Sequence, residues 1–333
     1  MRPILEIKNL QVAFDTYAGE VKAVRGVSYT VNPGEAVAVV GESGCGKSVT
    51  AQTVMGLIPS PPGRVVAGQI LFDGQDLLNF TERQMQGVRG NQIGMIFQDP
   101  MTSLNPTMTV GRQIAEGLRK HQSLPADQAL EQAKEMLKMV GIPHPDRRLN
   151  QYPHEFSGGM RQRAMIATAL ACRPKLLIAD EPTTALDVTI QDQIIDLMRN
   201  LQRQLGMAIV LITHDLGVVA GLCSRVVVMY AGQIMEAGPV REIYYRTQHP
   251  YTRGLLASVP KTGKERKPLV SIPGTPPDLF SPPPGCPFAP RCSHAMKVCG
   301  QLVPQEQEVS PGHRVACWLT HPLAQYRKQE VAG

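Results

Sequence analysis

Aromatic residues supply only 5% of this 333-residue chain, with a single tryptophan among them. So few ring faces argue against a surface that stacks nucleobases, and no nucleic-acid partner is expected. Long apolar runs are missing too: nothing approaches the roughly 18 consecutive apolar residues that would cross a bilayer. The opening residues, Met1-Arg2-Pro3-Ile4-Leu5-Glu6, lack the apolar core and cleavage site of a signal peptide. The expectation is a chain that stays in the cytosol, where its seven cysteines would not form structural disulfides. Neither sign of charge dominates: 34 basic and 28 acidic residues leave a net charge of +6. That excess suits a solvated surface, or contact with anionic headgroups or the cytoplasmic side of a membrane partner. No internal repeat is visible. What is present is 43% hydrophobic residues, enough for a sizeable core, and a length beyond one average domain.

Short alternating runs between residues 4 and 40, such as Val27-Ser28-Tyr29-Thr30-Val31, predict antiparallel strands. Ala36-Val37-Ala38-Val39-Val40 is instead continuously apolar and β-branched, as in a buried parallel strand. Gly41-Glu42-Ser43-Gly44-Cys45-Gly46-Lys47-Ser48 follows it directly, and a helix is expected from Lys47 to Leu57. A strand, a G-x-x-x-x-G-K-S loop and a helix in that order form a phosphate cradle. Its glycines turn backbone N–H groups inward at a helix N-terminus, Lys47 reaches outer phosphates, and the Ser48 hydroxyl can ligate Mg²⁺. Residues from about 102 to 172 read as mostly helical, with helices over 109–120 and 127–140. Ser157 is placed to cap a further helix that stops near Arg173-Pro174. Strand 176–180, helix 188–206 and strands 208–213 and 225–230 then give a βαβ rhythm and a parallel sheet. Beyond Val259 prolines accumulate, including Pro282-Pro283-Pro284, which predicts an extended tail rather than a packed core.

The phosphate loop together with Ser157-Gly158-Gly159-Met160-Arg161-Gln162 and with Leu176-Leu177-Ile178-Ala179-Asp180-Glu181 resembles the ATP-binding cassette ATPases. The resemblance implies an α/β fold, an ABC ATPase core with a parallel sheet and an antiparallel β subdomain, a helical subdomain and a Cys-containing C-terminal tail. It implies ATP held by Gly41, Ser43, Gly44, Cys45, Gly46, Lys47, Ser48 and Val49, with Tyr17 stacked on adenine. Asp180, Ser48 and Gln98 become Mg²⁺ ligands, Glu181 the general base for the attacking water, and His214 the switch that contacts the γ-phosphate. Gln98 would also link the state of the ATP to a transmembrane partner. Ser157, Gly158, Gly159 and Asp187 would serve the ATP held by a second subunit, so hydrolysis would require a dimer. Phe156 and Met160 stand where many cassettes have Leu and Gln.

Gln98-Asp99-Pro100-Met101-Thr102-Ser103-Leu104-Asn105-Pro106 and His249-Pro250-Tyr251-Thr252 narrow the resemblance to peptide and nickel importers, above all oligopeptide and dipeptide ATPase subunits. Such a machine pairs two permeases with two ATPases, often different from each other, and an extracytoplasmic substrate-binding protein. The chain would sit peripherally on the cytoplasmic face of the membrane. The implied division is a nucleotide-binding domain over 1–258, with the helical subdomain at about 102–172, and a tail over 259–333. Nickel and glutathione remain alternative cargoes. A cassette protein of translation or DNA repair and an ATP-holding module without turnover are the rival classes.

Cys286, Cys292, Cys299 and Cys317 are spaced C-x₅-C-x₆-C-x₁₇-C. Close pairs typical of structural zinc are absent, and wide spacing on a proline-rich segment suits a larger [4Fe–4S] cluster. Similar tails in the importer family carry such clusters, so iron–sulfur is the expectation, with zinc or free thiols as alternatives.

Overall fold

The computed structural model describes residues 2–184, 187–259 and 271–324. The chain forms two compact units that it enters more than once: Met1–Leu5, Val31–Ala36 and Leu71–Ile212 make one, and Glu6–Thr30, Val37–Ile70 and Thr213–Gly333 the other.

In the first unit, Leu176–Asp180 is the middle of three parallel strands, between Ile93–Ile96 and Ala208–Thr213. All three are buried along their whole length, the reason their sequences run apolar without alternation. Helices Val110–Gln122, Ala126–Met139 and Gly158–Leu170 form the helical part, and Val188–Leu205 follows the middle strand. Ala126–Met139 shows the packing logic: Ala129, Ala133, Met136 and Leu137 recur at helical spacing and are all buried. Gly158–Leu170 starts where the sequence places it, because the Ser157 hydroxyl accepts from the Met160 N–H at 3.4 Å.

In the second unit, Leu5–Thr16 and Gly19–Val31 are neighbours joined through Tyr17-Ala18, a hairpin far longer than the short runs that the alternation suggested. Ala36–Val40 pairs in parallel with Arg225–Tyr230, which pairs antiparallel with Gln233–Pro239. The tail departs from its predicted extended form. His313–Val315 and Gln307–Ser310 form a small antiparallel pair that adds to Gln233–Pro239, while Cys286, Phe288 and Cys299 are buried. Prolines shape the stretch from 271 to 285, but the apolar side chains beyond it pack.

Candidate functional site

The phosphate loop begins where the buried strand Ala36–Val40 ends. Gly41 sits at φ +154°, and a Cβ there would lie 2.2 Å from the Met229 carbonyl oxygen. Gly46, at φ +97°, precedes the helix Lys47–Val54 and would bring a Cβ to 2.5 Å from the Ala23 carbonyl oxygen. These two positions therefore require glycine for close backbone approach as well as for conformation. Lys47 is buried, 5% exposed, and its Nζ donates to the Gly41 and Glu42 carbonyls at 2.8 and 3.0 Å. An ammonium curled against the loop's own carbonyls, at the N-terminus of a helix, fits the phosphates of a nucleotide. Ser43 and Gly44 are exposed, Ser48 and Val49 half-buried. The Cys45 thiol is buried, and burial pushes its pKa up against the pull of Lys47.

Tyr17, at the hairpin turn of the same unit, is fully exposed, which leaves its ring face open to a planar ligand. His214 is exposed just past the end of Ala208–Thr213. The next residue, Asp215, caps the helix Leu216–Leu222 by accepting from the Gly217 N–H at 2.7 Å.

The first unit carries the acids. Asp180 ends its strand buried, and Glu181 follows at φ +48°, a left-handed conformation that an L side chain adopts at a cost. The surroundings hold it there. Its N–H donates to the Ile212 carbonyl at 2.9 Å, and its Oε2 accepts from Thr184 Oγ1 at 2.9 Å and from Gln98 Nε2 at 3.0 Å. A carboxylate fixed by two donors at a strand end, with Asp180 beside it, can in chemical terms accept a proton from a water.

Ser157 is exposed at the start of its helix. A Cβ on Gly158 would meet nothing within 4 Å, whereas one on Gly159 would come to 3.2 Å from Ile190 Cγ2. Gly159 is thus constrained from within the unit, and Gly158 is not. Phe156 is buried and lies under the Arg148 guanidinium at 5.9 Å, so it serves as core rather than as a contact surface. Asp187 caps the helix Val188–Leu205 by accepting from the Ile190 N–H at 3.0 Å. Ala185 and Leu186, just before it in the chain, lie outside the described residues.

The cysteine tail corrects an expectation. Cys286, Cys299 and Cys317 are buried and Cys292 is half-buried. Yet no group of three or more His, Cys, Asp or Glu side chains among the described residues is placed to hold a metal ion. The expected [4Fe–4S] cluster is therefore not supported, and among the described residues the four cysteines carry free thiols. The chain here is stitched by its own backbone, with the Cys286 N–H on the Cys299 carbonyl at 2.8 Å and the Met296 N–H on Cys299 Sγ at 3.4 Å. Burial pushes the thiols up, Cys286 to about 11 and Cys317 to about 12.

Sequence reasoning missed one set of residues around the loop. The Arg291 guanidinium grips the Glu42 carboxylate through two hydrogen bonds, at 2.6 and 3.0 Å. The Glu42 N–H donates to Tyr251 Oη at 2.9 Å. Glu42 lies in the phosphate loop and Tyr251 in the segment 249–252, both of which the sequence singled out; nothing local marks Arg291.

Comparison with known proteins adds to this geometry. Residues 24–184 match the ABC transporter family, and residues 235–299 match the oligopeptide/dipeptide transporter C-terminal region. The chain is 59% identical to the oligopeptide transport ATP-binding protein OppD of Bacillus subtilis, over 96% of this chain and 90% of that one. It is 54% identical to the dipeptide transport ATP-binding protein DppD of the same organism, over 98% and 97%. Among solved structures, it is similar to the dimeric ABC transporter cassette MJ0796, with a TM-score of 0.64 and 26% identity over 71% of this chain and 99% of that one. A second structure of that cassette, a dimer in a post-hydrolysis state bound to ADP and Pi, matches with a TM-score of 0.64 and 27% identity over the same shares.

Proposed function

Because this chain belongs to the ABC transporter family, in its oligopeptide/dipeptide branch, we propose that it is the ATP-hydrolysing subunit that energises import of di- and oligopeptides through a membrane transporter. The fold is that of an ABC ATPase cassette. No described helix is long and apolar enough to cross a membrane; the translocation path would lie in permease components. The finer assembly is a second, different ATPase, two permeases and an extracytoplasmic binding protein, with this chain peripheral on the cytoplasmic face.

When ATP enters, the Lys47 ammonium exchanges the Gly41 and Glu42 carbonyls for the outer phosphates, and the helix N-terminus behind it supplies N–H donors. Ser48, Asp180 and Gln98 carry the hard oxygen donors that Mg²⁺ prefers, and the ion supplies charge neutralisation to the phosphates. Glu181 polarises the attacking water, His214 senses the γ-phosphate, and Tyr17 stacks on adenine. Ser157, Gly158, Gly159 and Asp187 complete the site of the partner ATPase. The observation that favours turnover over mere nucleotide holding is the Glu181 carboxylate, fixed by Gln98 and Thr184 in a strained backbone conformation. The peptide cargo rests on what the relatives are called.

Uptake of labelled di- and oligopeptides tests the reading in cells that carry either wild type or Glu181→Gln at the native locus. Loss of uptake for one length class in the variant names the cargo. Undiminished peptide uptake, with no redundant importer, would leave nickel, glutathione or another small cargo.

A further inference from the structure

We propose that Arg291 is a positioning residue for the phosphate loop: it acts through Glu42, and so makes the C-terminal segment part of the machinery that receives ATP. The inference rests on the ATP-site reading above. All its residues belong to one compact unit.

Glu42 is the first variable residue of the loop, and each of its polar groups is engaged. Its carboxylate holds Arg291, its N–H holds Tyr251 Oη, and its carbonyl accepts from Lys47 Nζ. Two of those partners come from the far end of the chain; the third is the lysine expected to meet the phosphates. The Arg291 side chain is 6% exposed. Beyond Glu42, its Nε donates to the Pro273 carbonyl at 2.8 Å, Nη1 to Tyr230 Oη at 3.1 Å and Nη2 to the Ile272 carbonyl at 3.3 Å. The rings of Tyr230 and Phe288 lie 5.7 and 5.9 Å from its guanidinium carbon. A solvated ion pair contributes little, but this fork is planar, sequestered and fully used.

The electrostatics give the arrangement a purpose. Glu42 places a carboxylate within a loop whose ligand is a polyanion. Left alone, that charge would repel the triphosphate; Arg291 neutralises it and fixes the carbonyl on which Lys47 rests. Simple attachment of the tail would not need this particular residue of the loop.

The test measures KM for MgATP in the assembled transporter, and binding of mant-ATP to the full-length chain. Arg291→Ala should raise KM and weaken mant-ATP binding about ten-fold, with kcat changed by less than about two-fold. Arg291→Lys, which keeps the charge but not the fork, should fall between. The decisive variant is Arg291→Ala combined with Glu42→Gln: removal of the unneutralised charge should restore most of the lost affinity. A structural role alone predicts no such rescue, so a double variant as weak as Arg291→Ala would overturn the proposal. So would a loss confined to kcat, or no effect. Melting curves accompany each variant; if Arg291→Ala does not fold, Arg291→Lys with and without Glu42→Gln carries the same comparison. Mant-ATP binding undiminished by Lys47→Ala would instead sink the ATP-site reading on which the proposal stands.

Discussion

Gln98 Nε2 donates to Glu181 Oε2 across 3.0 Å, although 83 residues separate the two in the chain. The bond ties the segment before the helical insertion to the acid that follows Asp180. Both side chains thus meet at one point, which the proposed function assigns to the attacking water. Glu181→Gln keeps the shape and an acceptor for Thr184 and Gln98 but cannot take a proton. Hydrolysis by the assembled transporter should fall about 10²- to 10⁴-fold with ATP binding intact. Steady-state turnover beside nucleotide binding checks this, and near-normal turnover would remove Glu181 from its role.

The left-handed backbone at Glu181 yields a second expectation. Glu181→Gly relieves the strain of φ +48° while it deletes the carboxylate. Thermal unfolding should shift by no more than about 1 kcal/mol, in either direction, while turnover is lost. A large destabilisation would mean that the Gln98 and Thr184 bonds hold the unit together rather than orient a catalytic group.

Lys47→Ala should weaken ATP binding by about ten-fold or more, since a charged donor to phosphate disappears. The buried Gly41 carbonyl and the Glu42 carbonyl lose their ammonium, so the melting temperature without nucleotide should fall. The stabilisation by added ATP should shrink as well. Equal ATP stabilisation in both proteins would argue against the site.

Much of this was legible because it is local. The phosphate loop is eight consecutive residues whose glycines answer to the backbone, and Leu176–Asp180 announces its burial by its unbroken apolar run. Ser157 marked its helix start through the cap it makes. What escaped is long-range pairing. Arg291 meets Glu42 across 249 residues and His313 meets Glu236 across 77, and neither leaves a periodic trace. The proline-rich tail concealed the strand pair that completes the sheet edge, because strand addition depends on a partner the composition does not name. The cysteine spacing misled for a related reason: spacing says which thiols could converge, whereas burial and backbone bonds decide what they do.

Glu236 and His249 set an expectation for acid. Glu236 is fully buried and accepts from Thr247 Oγ1, the N–H groups of Gln248 and His249, and His313 Nε2. Burial alone would raise its carboxyl, but the bonds from His313, Gln248 and Thr247 outweigh that and hold it below the ordinary value of 4.5. His249 caps its helix through Nδ1, while its Nε2 is buried with no hydrogen-bond partner among the described residues. Burial depresses this imidazole from 6.5 to about 4. Between those values the unfolded chain binds a proton that the folded chain refuses. Stability is thus fully present above pH 6.5 and declines as pH falls toward 4, by about 3 kcal/mol in total. Glu236 adds a loss in the same direction, from its ordinary value of 4.5 downward. Denaturant titrations at a series of pH values should show the slope above pH 4.5 in wild type and a flatter one in His249→Asn, which keeps a capping acceptor. An equal slope in both would assign the acid sensitivity elsewhere.

The bare face of Gly158 offers the sharpest separation between what the chain needs for itself and what it offers a partner. A Cβ on Gly159 would come to 3.2 Å from Ile190 Cγ2, so the isoleucine would have to give by a few tenths of an ångström. A Cβ on Gly158 meets nothing within 4 Å, and an acidic residue at a helix N-terminus is favourable. Gly158→Asp should therefore fold as well as wild type, melt at the same or a slightly higher temperature, and bind ATP at Lys47 with unchanged affinity. In the assembled transporter the same carboxylate would approach the phosphates held by the second ATPase. Donors that face developing charge are worth about 10²- to 10³-fold in rate, and a fixed negative charge there should cost at least that much turnover. The isolated chain and the assembled transporter must then disagree, one indifferent to the change and the other disabled by it. Full turnover in the assembly would mean that Ser157, Gly158 and Gly159 end a helix and do nothing across the boundary.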